Sequence, residues 1–141
     1  MAASDWSWCP AFVDVDLDGY EDLLITNGFE FDVMDQDSHD QLRTKRLTFE
    51  QQKRFRQFHP GWPTPNAAFR NRRDGTFEPA GDVWGFNQPG ISYGMALGDL
   101  DNDGDLDVVV NNLNSVASLY RNEATASFRD SGRAEPQPIR R

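Results

Sequence analysis

One cysteine, Cys9, and two histidines, His39 and His59, are all that this chain of 141 residues holds of the side chains that build disulfides and zinc sites. A lone cysteine excludes an internal disulfide framework and cysteine-rich calcium-repeat arrays, and it leaves the redox compartment open. Long apolar runs are missing as well: nothing approaches the roughly 20 residues of a transmembrane helix. Residues 1–6 lack the basic start and apolar core of a signal peptide. Net positive charge is also absent. Twenty-three acids against 14 Lys and Arg leave −9, which argues against general nucleic-acid binding.

The charge is unevenly spread. Residues 43–73 hold nine Lys/Arg and one acid, a local balance of +8, so the remainder carries −17. Much of that remainder falls in two short segments of one pattern, 85 residues apart: Asp14-Val15-Asp16-Leu17-Asp18-Gly19-Tyr20-Glu21-Asp22 and Asp99-Leu100-Asp101-Asn102-Asp103-Gly104-Asp105-Leu106-Asp107. Each has carboxylates at positions 1, 3, 5 and 9, glycine at 6, and an apolar run behind it (Leu23-Leu24-Ile25; Val108-Val109-Val110). Four carboxylates in nine residues repel one another, and a hard cation with six to eight oxygen ligands removes that repulsion. The glycine lets the backbone reverse, and the carbonyl of Tyr20 or Asp105 can add a ligand.

An EF-hand needs a glutamate at loop position 12 and a helix on each side. Position 12 here is Ile25 or Val110, inside strand-like runs. Each loop is therefore expected to close through Asp22 or Asp107 and to lead into a strand, with the Glu21 and Asp105 side chains solvated. Acidic Asp-Gly hairpin turns without metal are the competing reading; two copies with identical spacing favour the cation. Loops of this kind are most useful where calcium is millimolar, which points to an extracellular, cell-surface or periplasmic setting. The missing signal then implies that the natural start lies upstream.

A second pattern sets the period. Phe69-Arg70-Asn71 before Phe77 matches Tyr120-Arg121-Asn122 before Phe128, 51 residues on. The two offsets differ by 34 residues, so a repeat of about 50 residues carries an insertion in its first copy. Repeats of that length made of short strands and turns read as β-propeller blades. Asp74-Gly75 predicts a two-residue hairpin. The large–small alternation of Tyr93-Gly94-Met95-Ala96-Leu97-Gly98 predicts a strand with one face close to a neighbouring backbone, paired with the Val108–Val110 strand. Continuous apolar strands suit sheets covered on both faces.

The insertion, residues 31–65, differs in character. Thr48 with Gln51 predicts a helix cap, Phe55 and Phe58 share a helical face, and Pro60, Pro63 and Pro65 end the helix. Its basic charge reads as a solvated helix packed on its own domain or as a partner surface.

These residues resemble the FG-GAP/VCBS repeat proteins, the calcium-loop β-propellers that include the integrin α-subunit head. The run from Gln88 to Asn112, with Leu119-Tyr120-Arg121-Asn122 after it, is similar to the branch that carries a C-terminal ASPIC/UnbV domain and includes cartilage acidic protein. The resemblance covers roughly residues 6–30 and 67–122. It implies a propeller of about seven blades, secreted or surface-exposed, with calcium in the blade loops, and binding or adhesion more than catalysis. Position by position it implies two calcium sites. Their ligands would be Asp14, Asp16, Asp18, Tyr20 and Asp22, then Asp99, Asp101, Asp103, Asp105 and Asp107, with Tyr20 and Asp105 acting through backbone carbonyls. Cys9-Pro10 stands where the second copy has Gly94-Met95, so the first inner strand is expected to be irregular.

The expected architecture is all-β, a partial propeller of about two blades plus a helical and loop insertion. A further blade is expected to start over 119–128, and a polar tail to fill 129–141. Unpaired edges would meet the remaining blades or another copy. The expected function is calcium-dependent binding of a protein or glycan outside the cell, without enzymatic activity. The alternatives are a propeller-based hydrolase or lyase with its active residues elsewhere, or a truncated product with no function of its own. Gly90-Ile91-Ser92-Tyr93-Gly94 fits a nucleophile-elbow spacing. It is preceded by Pro89, runs into a calcium loop, and has no later histidine, so Ser92 reads as the start of a strand. Cys9 reads as a buried inert thiol, and His39 and His59 as loop residues.

Overall fold

A computed structural model describes residues 6–30, 40, 47–58 and 61–124, without the side chains of residues 52 and 55–58. In chain order the elements are β1 (Ser7–Val13), β2 (Asp22–Asn27), helix α1 (Phe49–Phe58), β3 (Thr64–Pro65), β4 (Ala67–Asn71) and β5 (Phe77–Pro79). A helical turn α2 (Gly81–Trp84) follows, then β6 (Pro89–Gly90), β7 (Ser92–Gly98), β8 (Asp107–Asn112) and β9 (Ser118–Tyr120). Strands β1-β2-β4-β5 make one antiparallel sheet and β7-β8-β9 another, with β3 and β6 paired by themselves.

The two sheets are copies of one design. Leu23 lies opposite Phe69 in the first, and Val108 opposite Tyr120 in the second, at the offsets of 85 and 51 residues that the motifs predict. The insertion therefore sits between the second and third strands of the first sheet. Each sheet also has the same register shift near the start of its first strand, between Ser7 and Cys9 and between Ser92 and Gly94. The irregularity expected of Cys9-Pro10 alone is thus a feature of both strands. The strand at 118–120 pairs with β8, so the segment around Tyr120 is the third strand of the second sheet and not the start of a further blade. Residues 125–141 lie outside the described residues.

Alternation along the strands decides how the sheets meet. Leu24 and Ala68, opposite each other on the first sheet, join Val108, Val110 and Tyr120 of the second in one buried cluster, with Met95 and Leu97 packed against it. The other face of the first sheet holds a separate cluster of Leu23, Ile25 and Phe69. By repeat position Leu23 matches Val108 and Leu24 matches Val109, so one face of a sheet meets the opposite face of the next. That head-to-tail stacking, with open sheets at both ends, fits a partial propeller. β2 is buried at all six positions, with Leu24 in the shared cluster, Leu23 and Ile25 in the separate one, and the polar Asp22, Thr26 and Asn27 hydrogen-bonded.

The link between the sheets supplies the filler. After β5 the chain makes the single turn α2, ended by Gly85 in the left-handed region at φ 68°, and this seats Trp84 and Phe86 in the core with no exposed surface. Phe86 packs on Tyr120 with ring centroids 5.0 Å apart. Truncating either aromatic to alanine should cost about 3–5 kcal/mol.

Two local expectations shift. Asn71 pairs with Phe77, so the β4–β5 connection has five residues rather than two. Arg73 and Gly75 take positive φ (64° and 83°), and Asp74 Oδ1 accepts from the Thr76 amide and hydroxyl at 2.9 and 2.6 Å. The close backbone approach expected of the small-residue face of Tyr93–Gly98 is not found at its glycines: a Cβ on Gly94 would meet nothing within 4 Å, and one on Gly98 only the Leu100 side chain at 3.8 Å. It occurs instead at Gly28, where a Cβ would overlap the Gly90 carbonyl oxygen. In the insertion the Thr48 cap is present. Gln51 Oε1 accepts from the Thr48 amide at 2.9 Å, and Thr48 Oγ1 from the Gln51 amide at 3.4 Å, the reciprocal pattern of a capping box. The Phe55 and Phe58 side chains lie outside the described residues.

Candidate metal-binding loops and their clasps

Each acidic loop joins the first two strands of its sheet and is wired in the same way. The carboxylate at position 1 accepts two backbone amides: Asp14 those of Asp18 and Gly19 at 2.9 and 2.8 Å, Asp99 those of Asp103 and Gly104, both at 3.2 Å. The carboxylate at position 5 accepts the amide at position 7, Asp18 from Tyr20 at 2.9 Å and Asp103 from Asp105 at 3.4 Å. Positions 4 and 6 are left-handed in both loops: Leu17 and Asn102 at φ 53° and 60°, Gly19 and Gly104 at 89° and 97°. A leucine there is held against its own preference by the surrounding bonds.

This winding brings positions 1, 3 and 5 together. In Asp14, Asp16 and Asp18, and again in Asp99, Asp101 and Asp103, one carboxylate oxygen from each lies within 4.8 Å of the other two. Asp22 and Asp107, at position 9, stand apart from these triads, and both oxygens of each are engaged by backbone. Oδ2 accepts the position-2 amide (Val15 or Leu100, both 3.0 Å) and Oδ1 accepts the amide of Asn71 or Asn122, both 2.8 Å. Their placement is that of a rivet between the loop and the third strand. The Tyr20 side chain is exposed, its ring 5.1 Å from the Arg73 guanidinium.

The aromatic-Arg-Asn repeat is the clasp of each loop. Its aromatic residue packs in the core, and its arginine meets the carboxylate at position 3. Arg70 lies against Asp16, and Arg121 Nε is 2.5 Å from Asp101 Oδ2, with Asp103 3.7 Å from Nη2. Its asparagine takes the rivet just described. The spacing was visible in the sequence, but the pairing across 54 residues in the first copy was not.

Burial separates the two loops. The second triad is exposed, whereas Asp16 of the first is 3% exposed. Asp16 is pressed against Arg70, yet neither of its oxygens has a hydrogen bond of ordinary geometry. Burial raises its pKa, with Arg70 acting against that rise and Asp18 and Asp14 adding to it. Asp22 is pushed up to about 6 by burial, against the two backbone amides that it accepts. The Asp105 side chain, expected to be solvated, is 3% exposed with Oδ1 unpartnered. Burial and the neighbouring Asp103 push it up to about 6. Arg70 offsets only part of the cost of holding Asp16 buried beside Asp14 and Asp18, and a cation seated among the three would relieve their mutual repulsion. The residues present therefore fit a hard divalent ion.

The remaining candidates fall elsewhere. Ser92 opens β7, is buried, and donates to Asn112 Oδ1 at 2.8 Å, as Ser7 does to Asn27 at 3.1 Å in the first sheet. The serine is thus a repeated structural position. Cys9 is half-buried and free, more open than expected. His39 and His59 lie outside the described residues.

Comparison with known proteins agrees with this geometry. Residues 61–110 match the family model described as FG-GAP-like repeat. That stretch runs from the outer strands of the first sheet through the second acidic loop into β8, one repeat length in a frame that straddles the two sheets. The chain is also similar to cartilage acidic protein 1 of Homo sapiens, 37% identical over 83 residues, which is 54% of this chain and 13% of that protein. No solved structure matches it. Among the described residues no helix is long and apolar enough to cross a membrane. Through residues 61–110 the chain is thus similar to the FG-GAP-like repeat family.

Proposed function

We propose that this chain is a calcium-binding repeat module, one cation per acidic loop, and that the ions hold the loops in shape for binding a protein or glycan outside the cell. The observation that carries the reading is the first triad: oxygens of Asp14, Asp16 and Asp18 converge within 4.8 Å of one another, with Asp16 buried to 3% exposure beside the Arg70 guanidinium. Calcium suits such a set because it accepts flexible carboxylate and carbonyl ligands. Asp14, Asp16 and Asp18 hold the first ion, and Asp99, Asp101 and Asp103 the second. The Tyr20 and Asp105 carbonyls complete them, and Asp22 and Asp107 contribute as far as their backbone bonds allow. The role is binding rather than catalysis, since the clustered carboxylates are accounted for as ligands and rivets. The likeness to a cartilage protein supports an extracellular setting.

Calorimetric titration with calcium tests this directly. Two ions per chain are expected, with Asp16→Asn abolishing one and Asp101→Asn the other. Binding unchanged in both variants would remove the assignment.

A further inference from the structure

The two clasps differ in the residues that follow the asparagine. The first sheet has Arg72-Arg73 where the second has Glu123-Ala124, so among the described residues three guanidiniums gather beside the first loop and Arg121 alone meets the second. Arg70, Arg72 and Arg73 line an open cavity of about 480 Å³ beside Asp18. Arg72 is committed to Glu78, with Nε and Nη2 3.0 and 2.9 Å from Oε2. Arg73 sends the same two nitrogens to Asp18 Oδ2, at 3.0 and 2.7 Å, and Arg70 lies against Asp16. Asp74, the other carboxylate of the cavity, is turned to Thr76.

Two of the three guanidiniums thus spend their donors on carboxylates that a cation in the first loop would share. A carboxylate oxygen shared with a divalent ion is a weaker acceptor for an arginine fork. We propose that this cavity is a calcium-gated site for an oxyanion, a carboxylate or sulfate group presented by a partner. With the loop empty, Arg70 and Arg73 neutralise Asp16 and Asp18 and the cavity has no countercharge to offer. With calcium bound, the ion offsets two of the three charges of Asp14, Asp16 and Asp18, the hold of these carboxylates on the arginine forks weakens, and the forks become available to an incoming oxyanion. Among the described residues the second loop has Arg121 alone and no such cluster. The inference rests on the calcium reading above, and by linkage it requires that oxyanion and calcium strengthen each other's binding equally.

Sulfate and acetate, titrated at constant ionic strength in calcium or in chelator, test the proposal. The reading is taken on the wild type and on Arg73→Asn, since asparagine tolerates the positive φ of that position. Saturating calcium is expected to tighten the binding of one probe by about tenfold, and whichever responds identifies a tetrahedral or a planar group. Arg73→Asn is expected to weaken that probe by about tenfold while tightening calcium at the first loop, since a competitor for Asp18 is gone. Calcium binding without any effect on either probe, or oxyanion binding unchanged in the variant, would overturn the gated site and leave the calcium reading standing. A wild type that binds no calcium would overturn both.

Discussion

Asn122 and Val15, 107 residues apart in the chain, are joined by a buried hydrogen bond of 3.0 Å from the asparagine side-chain amide to the valine carbonyl. Asn122 also donates its backbone amide to Asp107 and accepts from Ala124 at 3.1 Å. One side chain thus ties the rivet of the second loop to the backbone of the first. Asn71, its counterpart, turns the same amide to Glu21 of its own loop, at 3.0 Å and in solvent.

The asymmetry sets a stability difference. Asn122→Ala should cost about 2–4 kcal/mol, since it leaves the buried Val15 carbonyl and the part-buried Ala124 amide unpaired, and Asn71→Ala no more than about 1 kcal/mol. Urea denaturation of the two variants side by side reads the difference directly. Equal effects would mean that Asn122 does not couple the sheets.

Gly28 is the glycine that the packing cannot replace. Its φ is 113°, and a Cβ would overlap the Gly90 carbonyl and stand 2.7 Å from Ile91 Cα. Gly28→Ala should cost about 3 kcal/mol or more, while Gly94→Ala, which meets nothing within 4 Å, should fall within about 1 kcal/mol. Thermal melts of both variants check the ranking.

Asp105 fixes the sign of a pH dependence. Its folded pKa of about 6 lies above the ordinary 3.8, so between those values the folded state binds more protons than the unfolded. Metal-free stability from this group is therefore present at low pH and declines as pH rises toward 6. Calcium, which requires ionised carboxylates, reverses the slope. Wild type minus Asp105→Asn, compared by denaturation at pH 4.5 and 7 in chelator, should show that decline; a contribution that grows with pH would contradict the burial of the carboxylate.

Much of this was legible in the sequence because it is local. The acidic loops at 14–22 and 99–107, the strands behind them and the Thr48 cap each declare themselves within a dozen residues. The spacing of Phe69-Arg70-Asn71 and Tyr120-Arg121-Asn122 revealed the period for the same reason. What stayed hidden depends on pairing across long separations. Arg70 on Asp16, Asn71 on Asp22 and Asn122 on Val15 are contacts between segments that no spacing rule connects. The burial of Asp105 follows from how its loop folds over, and the close approach at Gly28 is to Gly90 and Ile91, just before the second sheet. The segment around Tyr120 read as the start of a further blade because three residues declare a strand without saying which sheet it joins.

The account stands or falls on the two loops as cation sites. Binding to the folded state alone stabilises it by about 2.7 kcal/mol per site at a hundredfold excess over Kd. The most direct measurement is the melting temperature of the wild type and the Asp16→Asn, Asp101→Asn double variant, each with millimolar calcium or with chelator. The account predicts a rise of several degrees for the wild type and none for the double variant. No rise in the wild type, or the same rise in both, would contradict it.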